Sequence, residues 1–241
     1  PTVVLKSKTK FDEPLKWKES KLIFTCSWSD WFIEEGDQWR DELWQIVKAT
    51  PQHTYQILTK RPERIKHCLP ADWGSGYDNV WLGVSVGTNE GLSRCKLLAE
   101  IPAKVKFISA EPLLEDLTGL KEILAHHKFD LCIIGGESGN NIGKYRFREC
   151  KIDWIKNIIK DCQAHEMKIF VKQLGTFLGQ ELKLKDSHGG NIDEWCEELQ
   201  IREFPNYYKP NKIEPMKTNN EKKNIHELVK TLPPFKKLIA E

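Results

Sequence analysis

Six short apolar runs, each ending abruptly in polar or charged residues and each followed by a helix-like segment, constrain this chain more than any other feature. They are LIFTCSWSD (Leu22 to Asp30), YQILTKR (Tyr55 to Arg61), VWLGVSV (Val80 to Val86), VKFISAEP (Val105 to Pro112), LCIIGGESG (Leu131 to Gly139) and IFVKQLG (Ile169 to Gly175). Near-continuous apolar runs alternating with amphipathic stretches predict parallel strands buried on both faces, with crossover helices between them.

The intervening segments carry apolar residues at a spacing near 3.6. Trp39 to Pro51 places Leu43, Trp44 and Val47 on one face and stops at a proline. Asn89 is a candidate cap for EGLSRCKLLAEIP, and KIDWIKNIIKDCQAHE gathers Ile152, Ile155, Ile158, Ile159 and Cys162. Units of about 25 to 35 residues, repeated without a long excursion, predict right-handed βα repeats in an α/β fold. A partial TIM-type (β/α) barrel with parallel strands is expected over 22–175. A basic lead-in (1–21) would precede it, and an irregular C-terminal extension (176–241), loosely ordered beyond 206, would follow.

Lysine and arginine total 37 against 35 acidic residues, so the net charge of +2 gives no bulk reason for a polyanionic partner. Both flanks are basic: six lysines against three acids in 1–21, and eight against four in 206–241. A solvated surface accounts for that most simply, and a phosphate-binding face is the sharper alternative. No apolar stretch reaches the roughly 18 residues of a membrane span, and no signal-peptide pattern is present, so a cytoplasmic protein is expected. The seven cysteines, at 26, 68, 95, 132, 150, 162 and 196, are too widely spaced for CxxC, CxxxCxxC or short-spaced zinc patterns. With no HExxH motif either, no metal ligand is assigned.

In α/β folds ligands bind at the carboxyl ends of the strands, and the polar residues collect there. Gly135, Gly136 and Glu137 in GGESG offer close backbone approach and a carboxylate, although a Gly-Gly after a strand is ordinarily a tight turn. That motif is neither GxGxxG nor a phosphate loop. Lys60, Arg61 and Arg64 surround a helix start, where cations need an anion or an acid to offset the dipole, with Glu63 as the structural counter-charge. Ser85 ends the third run. Glu111, held extended by Pro112, is a candidate inward carboxylate. Lys172 and Gln173 interrupt the last apolar run, which is costly unless they face a polar cavity. Trp28 and Trp31 flank Asp30; core or rim packing explains them simply, base or adenine stacking more sharply.

Taken in order, HTYQILTKRPERI, NVWLGVSV, IPAKVKFISAEPLL, DLCIIGGESG, IFVKQLG and the late GGNIDEWCEELQIREFP resemble the phage gene-product-37/gene-product-68 family from about Leu22 to Pro205. Members of that family look like radical S-adenosylmethionine enzymes with a partial TIM-type barrel and three N-terminal cysteines holding a 4Fe-4S cluster. The resemblance implies that an electron from the cluster cleaves S-adenosylmethionine and that the resulting 5'-deoxyadenosyl radical abstracts hydrogen from substrate.

The chain departs from the family where the cluster would sit, because no cysteine precedes Leu22. With Pro1 as the first residue, it is expected to be a fragment of a longer protein or a member without the cluster. A smaller departure is Cys196, where the family usually has proline. By analogy, the backbone of Ile134 to Gly136 with Glu137 would hold adenosine, and Ser85 or Glu111 the ribose or amino group. Lys60 or Arg61 would hold the carboxylate, with Lys172 and Gln173 facing substrate. A nucleotide or nucleic-acid base is the expected substrate class. Two other readings stand beside this one: a non-catalytic nucleic-acid-binding barrel, and a hydrolase using Glu111 and Glu137 as acid and base, which would need them about 5 to 9.5 Å apart on a glycoside.

Overall fold

The computed structural model describes residues 4–140, 143 and 146–205. Six strands, β1 (Leu22–Phe24), β2 (Thr54–Thr59), β3 (Val80–Ser85), β4 (Val105–Ala110), β5 (Leu131–Gly135) and β6 (Lys168–Gln173), form one sheet in sequential order. Every pairing is parallel. Helices α1 (Arg40–Ala49), α2 (Ile65–Cys68), α3 (Ser93–Ala99), α4 (Leu120–His126) and α5 (Ile152–Ala164) occupy the crossovers, and α6 (Gly175–Glu181) follows β6. The sheet curls into a half-barrel, as the unbroken βα repeat predicts.

Strand alternation divides the core into two layers. Tyr55, Ile57, Val80, Leu82, Val84, Ile108, Ile134 and Val171 face outward, where Trp44 and Val47 of α1, Cys95 and Leu98 of α3, and Ile155, Ile158 and Cys162 of α5 cover them. On the concave side Trp81, Val105, Phe107 and Leu131 pack with Leu22, Leu58, Ile133 and Phe170. Gly83 pairs with Phe107 across β3 and β4, and a Cβ at Gly83 would run into the Phe107 ring. The glycine is what lets the concave floor close.

The loop after β1 is held by buried charge. Arg40 donates to the carbonyls of Trp31 and Ile33 and pairs with Asp37 at 2.6 Å. Arg64 donates to Phe32 O at 2.7 Å and grips the same Asp37 carboxylate. Asn89 does not cap the following helix, as its position predicts. Its Oδ1 accepts from Gly119 N, and its Nδ2 donates to Glu115 Oε1 and Asp116 O, fastening the β3 and β4 loops to one another.

Beyond β6, residues 176–205 begin with the rest of α6 and continue through short turns at Ile192–Glu194 and Glu197–Leu199. The chain then returns antiparallel to β6: Val171 N donates to Ile201 O and Glu203 N to Ile169 O, both at 2.8 Å. The tail expected to be loose beyond 206 lies outside the described residues. Among the described residues no helix is long and apolar enough to cross a membrane.

Candidate functional site

Parallel pairing, with one register shift where Ile134 pairs with Val171 and Gly135 with Gln173 so that Lys172 is skipped, brings the carboxyl ends of all six strands to one rim. Ser85 aligns with Ser109, and both are buried. One residue past β4, Glu111 carries its carboxylate across to β5, where a Cβ on Gly135 would lie 3.2 Å from it. From β6, Lys172 Nζ reaches Glu111 Oε1 at 2.7 Å. Ser85 Oγ donates to the Glu111 carbonyl at 3.3 Å, bracing the backbone beneath that carboxylate. Four of the residues singled out in the sequence therefore share one spot: Ser85, Glu111, Gly135 and Lys172.

The other five stand apart from that contact. Gly136 faces the neighbouring backbone, because a Cβ there would meet the Leu174 carbonyl, and the two chain segments cross closely at Gly175, whose φ is +84°. Gln173 Nε2 donates to Gly136 O at 2.9 Å and to Ser138 Oγ at 2.7 Å, so it braces the β5 loop. Glu137 is gripped by Arg148, whose Nε and Nη2 reach its two oxygens at 2.8 and 2.6 Å, while Arg148 N adds a bond at 2.9 Å. The Arg148 hydrogen bonds hold the Glu137 carboxyl below the usual carboxylate range.

Lys60 and Arg61 gather at the ends of β1 and β2 around Asp30. This carboxylate accepts from Thr59 Oγ1 at 2.7 Å, Phe32 N at 2.9 Å and Lys60 N at 2.9 Å, and pairs with Arg61 at 3.2 Å. The acids that offset Arg61 and Arg64 are thus Asp30 and Asp37, not Glu63. Lys60 keeps its side chain exposed. Asp30 and Arg148 are the organising residues that sequence reading passed over. Asp30 showed only as a polar strand end, and Arg148 lies 11 positions beyond its partner with no periodic signal.

The cysteines do not fit a 4Fe-4S cluster. No group of three His, Cys, Asp or Glu among the described residues is placed to hold a metal. Burial pushes the Cys95 and Cys150 thiols up to about 12 and Cys26 up to about 11, disfavouring the thiolate that would ligate iron. Cys132 is raised too, first by its hydrogen bond to Cys162 and then by burial. The residues around Glu111, by contrast, suit a charged organic ligand: an anion and a cation side by side, the carboxylate lying over a glycine.

A family described as protein of unknown function, DUF5131, matches residues 2–227. The chain belongs to that family. No curated protein and no solved structure matched it. Within this DUF5131 chain the match spans the whole half-barrel, so Glu111, Gly135 and Lys172 all lie inside the family region.

Proposed function

We propose that the chain is the barrel portion of a radical S-adenosylmethionine-type enzyme and that its own part is to bind S-adenosylmethionine at the C-terminal mouth. The observation that carries this reading is the Glu111–Lys172 ion pair over Gly135. An α-amino carboxylate bears one ammonium and one carboxylate, so it satisfies both partners when it inserts between them: Glu111 accepts from the ammonium and Lys172 donates to the carboxylate. Opening the pair costs little, because the side chains are 21% and 51% exposed and such pairs contribute about 0–1 kcal/mol. Gly135, with no side chain, lets the Glu111 carboxylate lie across β5 towards Lys172, and Ser85 braces the Glu111 backbone.

Glu111 and Lys172 meet in one contact, which favours a shared ligand over a division between cofactor and substrate. Lys60 and Arg61, at the Asp30 corner, are left out of this site. S-adenosylmethionine, when bound, would supply the 5'-deoxyadenosyl group that serves as hydrogen abstractor. The described residues hold no cluster, and no part of that reduction is assigned to them. A hydrolase pairing Glu111 with Glu137 is the weaker reading, because Arg148 takes both oxygens of the Glu137 carboxylate, leaving it occupied as a base and, with its pKa lowered, unsuited as an acid.

Isothermal titration of S-adenosylmethionine into the chain, alongside Glu111→Gln and Lys172→Met, tests the reading. Saturable binding that weakens about tenfold or more in each variant is expected, in line with a charge-assisted hydrogen bond of about 1.5–3 kcal/mol. No binding to the wild-type chain, or equal binding to all three proteins, would sink it.

A further inference from the structure

Trp28 is 98% exposed and stacks on no described ring, although it sits on the rim just described. It occupies the tip of a turn closed by Ser29 N donating to Cys26 O at 2.9 Å, with Cys26 in the left-handed region at φ +55°. Two residues later Asp30 ties this turn to β2 by accepting from Lys60 N. The Trp28 turn and the Lys60 backbone are thereby joined through Asp30, and the Lys60 side chain is exposed and pairs with no acid among the described residues. A cavity of about 510 Å³ opens alongside β1, lined by Phe24, Trp28 and Trp31 among its aromatics and by Lys6 and Lys10, which pair with Glu42 and Glu13, while Lys60 stands outside its lining.

A free planar ring, an unpaired lysine and an aromatic-lined cavity of ligand size make up the chemistry that takes a flat heterocycle joined to an anion. Apolar peptides would use the rings but leave Lys60 idle. Duplex bases are stacked on one another and present no open face to an indole. We propose that Trp28 stacks a nucleobase of a single-stranded nucleic acid, with an adjoining phosphate at Lys60. This deepens the proposed function, since the base so held would be the substrate presented to the same mouth.

The test is fluorescence anisotropy with a labelled single-stranded thymidine 12-mer, the same oligomer made abasic, and thymidine monophosphate as competitor. Trp28→Ala should weaken binding of the 12-mer about tenfold, Trp28→Phe should retain most of it, and the abasic oligomer should bind both wild type and Trp28→Ala at the lower level. Lys60→Ala should reduce the slope of log affinity against log salt by about 0.7. Because Trp28 and Lys60 are exposed, neither change should perturb folding. Equal affinity for normal and abasic oligomers overturns the stacking assignment, as does unaltered binding by Trp28→Ala. Complete competition by the mononucleotide at the oligomer's own affinity overturns the single-strand assignment, and absence of binding overturns the whole proposal. Titration of S-adenosylmethionine into Trp28→Ala separates the two readings, since that site does not include Trp28.

Discussion

Lys172 Nζ stands 2.7 Å from Glu111 Oε1, although they lie 61 positions apart in the chain and β5 lies between their strands. Gly135 is what permits it: the carboxylate passes over the one position of β5 with no side chain to block it.

The charge-reversed variant Glu111→Lys with Lys172→Glu separates binding from folding. Thermal melting should move by the equivalent of less than about 1 kcal/mol, because both groups are partly solvated. Binding of S-adenosylmethionine should fall, since reversing both charges relocates them relative to Ser85 and the β5 backbone. A stability loss of several kcal/mol would show a structural pair instead.

Gly83→Ala should destabilise the fold by about 1–3 kcal/mol through overpacking against Phe107. For a domain of this size that corresponds to a fall in melting temperature of about 2–4 °C per kcal/mol. Phe107→Leu in the same chain should recover part of the loss. Identical melting curves for wild type and Gly83→Ala would contradict the packing described.

Acid stability follows from Glu137. Its folded carboxyl is lowered by Arg148, so this contribution is fully present above the ordinary value of 4.5 and is lost as pH falls through the lowered folded value. Melting temperature should therefore drop between pH 5 and 3, and Arg148→Met should drop less steeply over that window, having lost the contribution beforehand. Parallel pH profiles for the two proteins would remove Glu137 as a source of the effect.

Thiol labelling should be selective. Cys196 is exposed, whereas Cys95, Cys132, Cys150 and Cys162 are buried, and the first three of these have raised pKa values. Brief treatment of the native chain with N-ethylmaleimide at pH 7, read by peptide mass mapping, should modify Cys196 first and leave those four unmodified until denaturant is added.

The half-barrel was legible because parallel strands covered on both faces need near-continuous apolar residues, which β3, β4 and β5 supply. Apolar spacing likewise located α1 and α5. What could not be read were contacts set by register between distant strands. Glu111 and Lys172 each stood out as a charge at a strand end, yet nothing in sequence distance joins them. Gly135 and Gly136 look equivalent in GGESG, but strand alternation turns the first to the mouth and packs the second against Leu174. Asn89 has the residue type and position of a cap, and tertiary partners at Glu115, Asp116 and Gly119 took its side chain instead.

The antiparallel return of residues 201–203 along β6 reaches further than the edge it covers. Arg202 lies over the Phe170 ring and donates to the carbonyls of Val171 and Lys172 at 3.3 and 3.2 Å. The main chain that carries the Lys172 ammonium is therefore steadied by a residue 30 positions downstream. Shortening the chain ahead of Ile201 would leave every residue of the mouth in place in the sequence and yet set its cation adrift, so the late strap works as a remote clamp on the charge that faces Glu111.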